Sequence, residues 1–384
     1  MDPWVQRAAR EITRHAVREL EALVAVSSPS GDVHGAEECA AVCAALLPAE
    51  AEVERPACSS PGHAPDLLAT LRGGGRRRIL LLGHVDTVVA HRHHKPLRRD
   101  GDQLVGSGAV DMKGGVVLAL GVLRALAARR DEFAEAALLL VCDEEWRTAP
   151  FAHVERFAGW DVCLCFEAGE ITADGNEGVV VRRKAAGTIK VTARGRSAHS
   201  GSAPERGRNA LLALAAAAQE VAGHHAPDGP AHLTAVPTVL HAGEAFNIVP
   251  GRGELSCDLR ADSDAAIRGV LQAIPRDVDG VALEPELIRL WPGMSSEAAT
   301  TPLLERAGAA LGRTVVGVRR GGASDASHLA PAIPLTVDGL GPRGGKAHSP
   351  GEFVHAGSLA ARAEVALAVV DAALAGDSGG TNVA

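Results

Sequence analysis

Between Arg76 and Gly115 the chain carries a stretch that few folds can accommodate. It reads Arg-Arg-Arg-Ile-Leu-Leu-Leu-Gly-His84-Val-Asp86-Thr-Val-Val, then a polar loop, then Gly-Ser-Gly-Ala-Val-Asp111-Met-Lys-Gly-Gly. Ile79 to Leu82 form an unbroken apolar run, the pattern of a strand covered on both faces in a parallel sheet. Such sheets bind ligands beyond the carboxyl ends of their strands, and here the run stops at Gly83 with His84 and Asp86 following. Side chains two apart on an extended chain share a side, so one of the two can bind a cation while the other holds its partner in place. Asp111 closes a glycine-rich turn just before a helical pattern and can reach the same edge. An imidazole and two carboxylates at strand ends suggest a metal site. For His-x-Asp taken alone, a capped strand end is the plainer reading.

The chain's 384 residues suffice for two domains. Aromatic residues make up 3% and tyrosine is absent, so the core must be aliphatic and no tyrosine can serve as acid or oxyanion donor. A net charge of −8 argues against a nucleic-acid partner. The seven cysteines have no framework spacing, and Cys163 and Cys165 sit inside an apolar strand-like run, which fits a reducing cytoplasm. The amino terminus has no apolar signal core and no run approaches membrane-spanning length, so a soluble cytoplasmic protein is expected.

Read in order, helical spacing runs from Pro3 to about Val26 and again from Ala36 to Leu47. An edge strand, a loop and a short strand fill Glu52 to Leu71, ahead of the strand at Arg76 to Val89. A helix over Lys113 to Arg130 leads to buried strands at Ala136 to Cys142, which runs into Asp143-Glu144-Glu145, and at Asp161 to Phe166, which ends at Glu167. Strands alternating with helices and ending in acid or imidazole describe a mainly parallel sheet with one functional edge.

The character changes near Asn176. From Val179 the order strand, helix (Asn209 to Ala222), two strands, helix (Asp264 to Ile274), strand describes a small α+β domain. The first pattern resumes after Trp291 and ends in a helix at Ala356 to Ala375, followed by a Gly/Ser-rich tail expected to fray. The fold class is therefore α/β, a mainly parallel sheet with flanking helices, with an inserted ferredoxin-like α+β domain. The expected limits are 1–178, 179–293 and 294–384.

At the functional edge this order collects His84, Asp86, Asp111, Glu144, Glu145, Glu167 and His348. Borderline and hard divalent cations accept mixed imidazole and carboxylate ligands. Two imidazoles and three carboxylates, one of them bridging, supply a pair of metals, the arrangement by which two-metal hydrolases activate water and polarise a carbonyl. One further glutamate must take the water's proton and pass it to the leaving amine. The Glu144-Glu145 pair offers one ligand and one base.

These blocks resemble the acetylornithine deacetylase, succinyl-diaminopimelate desuccinylase and glutamate carboxypeptidase family of dinuclear zinc hydrolases. The matching blocks are Gly-His84-Val-Asp86-Thr-Val, Gly-Ala-Val-Asp111-Met-Lys-Gly-Gly, Asp-Glu144-Glu145, Cys-Phe-Glu167, Gly-Arg-Ser-Ala-His199-Ser-Gly, Phe-Asn247-Ile-Val-Pro-Gly and Ala-His348-Ser-Pro-Gly-Glu. The segments around Gly321 to Asp325 and Ala203 to Asn209 are most similar to the glutamate carboxypeptidase branch.

The resemblance implies that His84, Asp111 and Glu167 bind one zinc and that Asp111, Glu145 and His348 bind the other, with cobalt or manganese as substitutes. It implies that Asp86 orients His84 and that Glu144 is the general base. His199, on a lid that is also the dimer interface, would polarise the substrate carbonyl, in the family often from the partner subunit. Asn247 would help the oxyanion, and Arg260 would hold a substrate carboxylate.

The substrate implied is a small peptide or N-acyl amino acid cleaved at its C-terminal residue. An N-acyl amino acid deacylase and a catalytically silent binding protein are the alternatives. Two departures, Trp146-Arg147 after the glutamate pair and Val89-Ala-His91-Arg-His93-His94 after the first histidine, are expected at the pocket mouth. Ala168 to Glu177 holds no lysine for a glutamate side chain, and Arg319 or Arg320 offers a carboxylate contact instead. His91, His93 and His94 are read as a solvated loop before an accessory metal site.

Overall fold

The strand Arg77–His84 lies fourth in a six-stranded sheet of the computed structural model, which describes residues 2–376. The spatial order is Glu52–Glu54, Leu67–Arg72, Phe133–Val141, Arg77–His84, Val162–Cys165 and Leu335–Val337. The last four are parallel, whereas Leu67–Arg72 runs antiparallel to Phe133–Val141 and to Glu52–Glu54. Ile79 to Leu82 are completely buried, as a centre covered on both faces requires. The tail beyond Gly376 lies outside the described residues.

The chain divides into two compact units. The first comprises residues 1–182, 295–319 and 324–384 and contains this sheet. Its helices Pro3–Ala25, Gly114–Leu126 and Ala356–Ala375 pack on one another, and Gly114–Leu126 also packs on the central strand. The first helix starts at Pro3 because Asp2 accepts the free amides of Trp4 at 2.7 Å and Val5 at 3.2 Å, a capping residue followed by proline at the first helical position. The helix expected to reach Arg130 ends at Leu126, and a tighter turn over Ala127–Glu132 leads into the next strand. The interior is leucine, valine and alanine with few rings.

The second unit comprises residues 183–294 and 320–323. Its boundary falls after the strand pattern begins, not at residue 179, because Val180 exchanges backbone hydrogen bonds with Asp338 of the first unit (2.7 and 2.9 Å). Strand Ala185–Arg194 sits between Arg252–Ala261 and Val281–Trp291, with Thr234–Ala242 at one edge, and every pairing is antiparallel. With helices Ala210–Gly223 and Asp264–Ala273 this is the βαββαβ succession read from the sequence. One face of Ala185–Arg194 points Ile189, Val191 and Ala193 into a core shared with Leu214, Leu255 and Ile267, the period-two burial of a one-sided sheet.

Candidate metal centre

Strand register brings Glu144, Glu145 and Glu167 to the level of His84. His84 is the last residue of its strand and pairs with Val141 of one neighbour, while Leu82 pairs with Cys165 of the other. Glu144 and Glu145 therefore leave one side of His84 and Glu167 the other, at the same level. Asp111 arrives from the turn Ala109–Lys113, immediately before helix Gly114–Leu126. That helix start can approach only because residue 115 is glycine: a Cβ there would lie 1.8 Å from the carbonyl oxygen of Phe166, the residue before Glu167.

The side chains form two groups sharing Asp111. His84, Asp111 and Glu167 offer ligand atoms within 4.8 Å of one another, as do Asp111, Glu145 and His348. The Asp111 carboxylate divides its oxygens between the imidazoles, Oδ1 lying 3.3 Å from His84 Nε2 and Oδ2 3.1 Å from His348 Nε2. His348 Nε2 is also 3.2 Å from Glu145 Oε2, and His84 Nε2 is 3.6 Å from Glu167 Oε1. Among the described residues these are the two groups able to hold a metal, and His91, His93 and His94 are in neither. His91 instead bonds Ser27 at 2.8 Å.

The field at this edge favours cations. Burial opposes charge on the His84 imidazole, yet Asp111 and Asp86 hold it protonated well above its usual range. Hydrogen bonds to Asp111 and Glu145 push His348 up to about 10. Against the penalty of burial, the same two imidazoles hold Asp111 below the ordinary carboxylate range. Protons are here answering an excess of carboxylate that divalent cations answer better. Glu145 Oε1 is buried with no hydrogen-bond partner, an arrangement that costs free energy unless a cation meets it. The donor set fits two divalent metals.

Asp86 is fully buried and serves both sides of the centre. Its carboxylate lies 3.3 Å from His84 Nδ1, whose ring also meets the Asp86 carbonyl oxygen at 3.0 Å. That contact fixes which imidazole nitrogen faces Asp111. The two Asp86 oxygens also accept the backbone N–H groups of Glu144 (3.1 Å) and Glu145 (3.0 Å). Burial pushes the Glu144 carboxyl well above its ordinary value, and Asp325, Glu167 and Glu145 push in the same direction while His84 opposes.

Two features escaped the sequence reading. Glu352 is buried and accepts the N–H groups of Gly108, Val110 and Asp111. Its signal was in view, as the acid that ends the block containing His348. The second is Arg147. Expected at the pocket mouth, its side chain is 3% exposed and pairs with Asp143 and Asp325; only its neighbour Trp146 is exposed, at 71%.

The other expected substrate contacts are placed as follows. His199 and Asn247 are exposed in the second unit, where the Asn247 carbonyl accepts the Ser200 N–H at 3.0 Å. Arg260 is held by both oxygens of Asp258 at 3.1 Å. Arg319 is 63% exposed and lies 3.6 Å from Glu297.

Residues 80–372 match the model of peptidase family M20/M25/M40. The chain belongs to that family. It is 27% identical over 363 residues to carboxypeptidase G2 of Pseudomonas sp. (strain RS-16), covering 89% of this chain and 85% of the relative. It is 28% identical over 355 residues to succinyl-diaminopimelate desuccinylase of Methylobacterium radiotolerans, covering 85% and 88%. The fold matches the crystal structure of aminopeptidase PepT from Bacillus cereus with a TM-score of 0.76 at 22% identity, covering 94% of this chain and 98% of the other. The protein is thus a hydrolase of a metallopeptidase family. No helix among the described residues is long and apolar enough to cross a membrane.

Proposed function

We propose that this enzyme hydrolyses the amide bond before a C-terminal residue in a small peptide or N-acyl amino acid, at two zinc ions and with Glu144 as general base. The observation that carries the reading is the Asp111 carboxylate, one oxygen toward His84 and the other toward His348, beside an adjacent pair of glutamates held by Asp86. His84, Asp111 and Glu167 hold one ion; Asp111, Glu145 and His348 hold the other. Cobalt or manganese would serve as substitutes. The ions supply Lewis-acid polarisation of the scissile carbonyl and a lowered pKa for water.

Everything else falls to the chain. Glu145 is committed as a ligand, which leaves Glu144, locked at its backbone by Asp86, to take a proton from water and deliver it to the leaving nitrogen. His199 Nδ1 accepts the N–H groups of Gly201 at 3.1 Å and Ser202 at 3.2 Å. Its proton therefore sits on Nε2, where it can be donated to a carbonyl oxygen. Asn247 is assigned to the oxyanion, and Arg260 and Arg319 to a substrate carboxylate.

Carboxypeptidase G2 and the desuccinylase, by their names, divide between C-terminal cleavage and N-acyl removal, and the second activity is the alternative reading for this pocket. The second unit is assigned as lid and homodimer surface, on the strength of exposed Val236, Val239 and Leu240 along its edge strand and Leu211 and Leu212 on a helix. The seven cysteines are free, which supports a reducing, cytoplasmic setting.

The test is a panel of dipeptides, N-acetyl and N-succinyl amino acids at defined metal loading, with Glu144→Ala alongside. Chelation should abolish turnover and zinc or cobalt restore it, while Glu144→Ala keeps its metals and loses activity. Full activity after exhaustive metal removal would sink the reading.

A further inference from the structure

The pair Trp146-Arg147 stands directly after the glutamates, and the structure gives the arginine a defined place beside them. Arg147 is the fifth residue of the turn that begins at Asp143, and its guanidinium lies between two carboxylates. On one side Nε and an Nη reach Asp143 Oδ1 at 3.2 and 2.7 Å. On the other, both Nη atoms meet the Asp325 carboxylate, the second at 3.1 Å. The three side chains are 3%, 0% and 4% exposed, and the Phe151 ring covers the guanidinium, its centroid 4.7 Å from Cζ.

Around this triad the turn is stitched to its neighbours. Asp143 Oδ2 accepts the Ser60 N–H at 2.9 Å, and Ser60 Oγ accepts the Thr148 N–H at 2.9 Å. With Asp86 holding the amides of Glu144 and Glu145, the two working glutamates lie between fixed points on either side. Arg147 is thereby committed, and it is not a cation for a substrate carboxylate.

A buried ion triad contributes little net stability relative to well-packed apolar side chains of the same volume. What it supplies is orientation. Orientation matters here because Asp143 is the residue immediately before Glu144. A guanidinium shared between Asp143 and Asp325 ties the residue before Glu144 to the loop carrying Asp325.

We propose that Arg147 is a positioning residue of the hydrolytic reaction, tying the Asp143–Arg147 turn to Asp325 so that Glu144 sits at one place. This rests on Glu144 being the base.

The experiment compares Arg147→Met, Arg147→Lys, Asp325→Asn and the Arg147→Met/Asp325→Asn double variant, using a substrate the wild-type enzyme accepts. The readouts are kcat and KM separately, bound metal per chain, and Tm. Arg147→Met should keep two metals and a KM near wild type while kcat falls about a hundredfold, the scale of a small misplacement of a reacting group. Arg147→Lys, which keeps charge without the fork, should recover part of that loss. Removing the opposing charge in the double variant should raise kcat above that of Arg147→Met.

Unchanged kcat in a folded, metal-loaded Arg147→Met would overturn the proposal, as would a loss fully reversed by added metal. Should Arg147→Met fail to fold, Arg147→Lys and Asp325→Asn decide. A lowered kcat at constant KM in both supports the proposal, and wild-type kcat in both removes it. Glu144→Gln, run in parallel, separates the two levels of argument, because full turnover there defeats the base assignment whatever Arg147 does.

Discussion

The Glu352 carboxylate accepts the backbone N–H of Asp111 at 3.0 Å, so the acid that follows the His348 loop holds the residue that both metal groups share. The same oxygen takes the Val110 N–H at 2.8 Å, and the other takes the Gly108 N–H at 2.9 Å. Gly108 needs its left-handed φ of 71° to present that amide, and a Cβ there would meet Thr87 at 2.6 Å. Removing the carboxylate leaves three inward amides unpaired, each costing on the order of 1–3 kcal/mol. Glu352→Ala is therefore expected to lower stability by several kcal/mol. Glu352→Gln, which keeps one acceptor, should fold but bind metal roughly 10–100-fold more weakly. Titration against a chromophoric chelator measures this, and wild-type affinity in a folded Glu352→Gln would remove Glu352 from the centre.

Asp86 makes a sharper prediction because its two oxygens have different tasks. Asn at this position retains the shape but turns a carboxamide NH2, a donor, toward one of the Glu144 and Glu145 N–H groups that the carboxylate accepts at 3.1 and 3.0 Å. It also withdraws charge from His84. Asp86→Asn should lower both kcat and metal affinity, the latter by about 10–100-fold, whereas Glu144→Gln should lower kcat alone. Equal metal affinity in Asp86→Asn and wild type, by the same chelator titration, would contradict the assignment.

How far the sequence could be read depended on whether a residue acts where its own strand ends. His84, Glu144, Glu145 and Glu167 follow apolar runs, and parallel strands in register bring such ends to one edge without further information. Asp111 and His348 lie on turns, Asp111 just before a helix start that brings it to the same edge. The roles of Arg147 and Glu352 are not legible in the sequence, for a common reason. Their work consists of contacts across 178 and more than 240 residues, with Asp325 and with the Gly108–Asp111 turn respectively. Local pattern carries no sign of such partners. Burial is equally silent in the sequence, which is why an arginine beside an exposed tryptophan read as part of the rim. The start of the second unit was misplaced by a few residues because strand periodicity continues across it: Glu177–Arg183 and Ala185–Arg194 are separated by Lys184 alone.

His328 gives the first unit an acid-sensitive point. It stacks on Phe151, the same ring that covers Arg147, with centroids 5.3 Å apart and planes 19° from parallel. Burial pushes its pKa down to about 4, with Arg147 adding in the same direction. The folded state thus binds a proton less readily than the unfolded chain, where histidine titrates near 6.5. Its contribution is fully present above that value and is lost as pH falls from about 6.5 toward 4. Between pH 6.5 and 5 the loss should be about 2 kcal/mol. His328→Phe keeps a ring in the stack and should flatten this limb. Denaturant unfolding at pH 7 and pH 5 tests it; parallel losses in wild type and variant would show that other groups set the acid limb.

The assignment of the second unit as a dimer surface can be tested without touching a metal ligand or the base. Thr234–Ala242 is the edge of its sheet, and Val236, Val239 and Leu240 are 43%, 46% and 39% exposed along it. A long apolar edge is a template for pairing with another copy. Pro237 interrupts the ladder where the register shifts between Pro237 and Val239, so backbone pairing should run through the segment beyond it. Val239→Lys places a charge there at little cost to the single chain, since surface substitutions usually stay within about 0.5 kcal/mol. Sedimentation at micromolar concentration should give a dimer for wild type and a monomer for the variant, with Tm nearly unchanged. A wild-type monomer, or a variant dimer as tight as wild type, would dismiss this surface. The activity of the monomeric variant then bears on His199, whose Nε2 is free to donate. A monomer that keeps its metals but loses kcat indicates that the partner subunit supplies this imidazole, whereas a fully active monomer places it in the same chain as the metals.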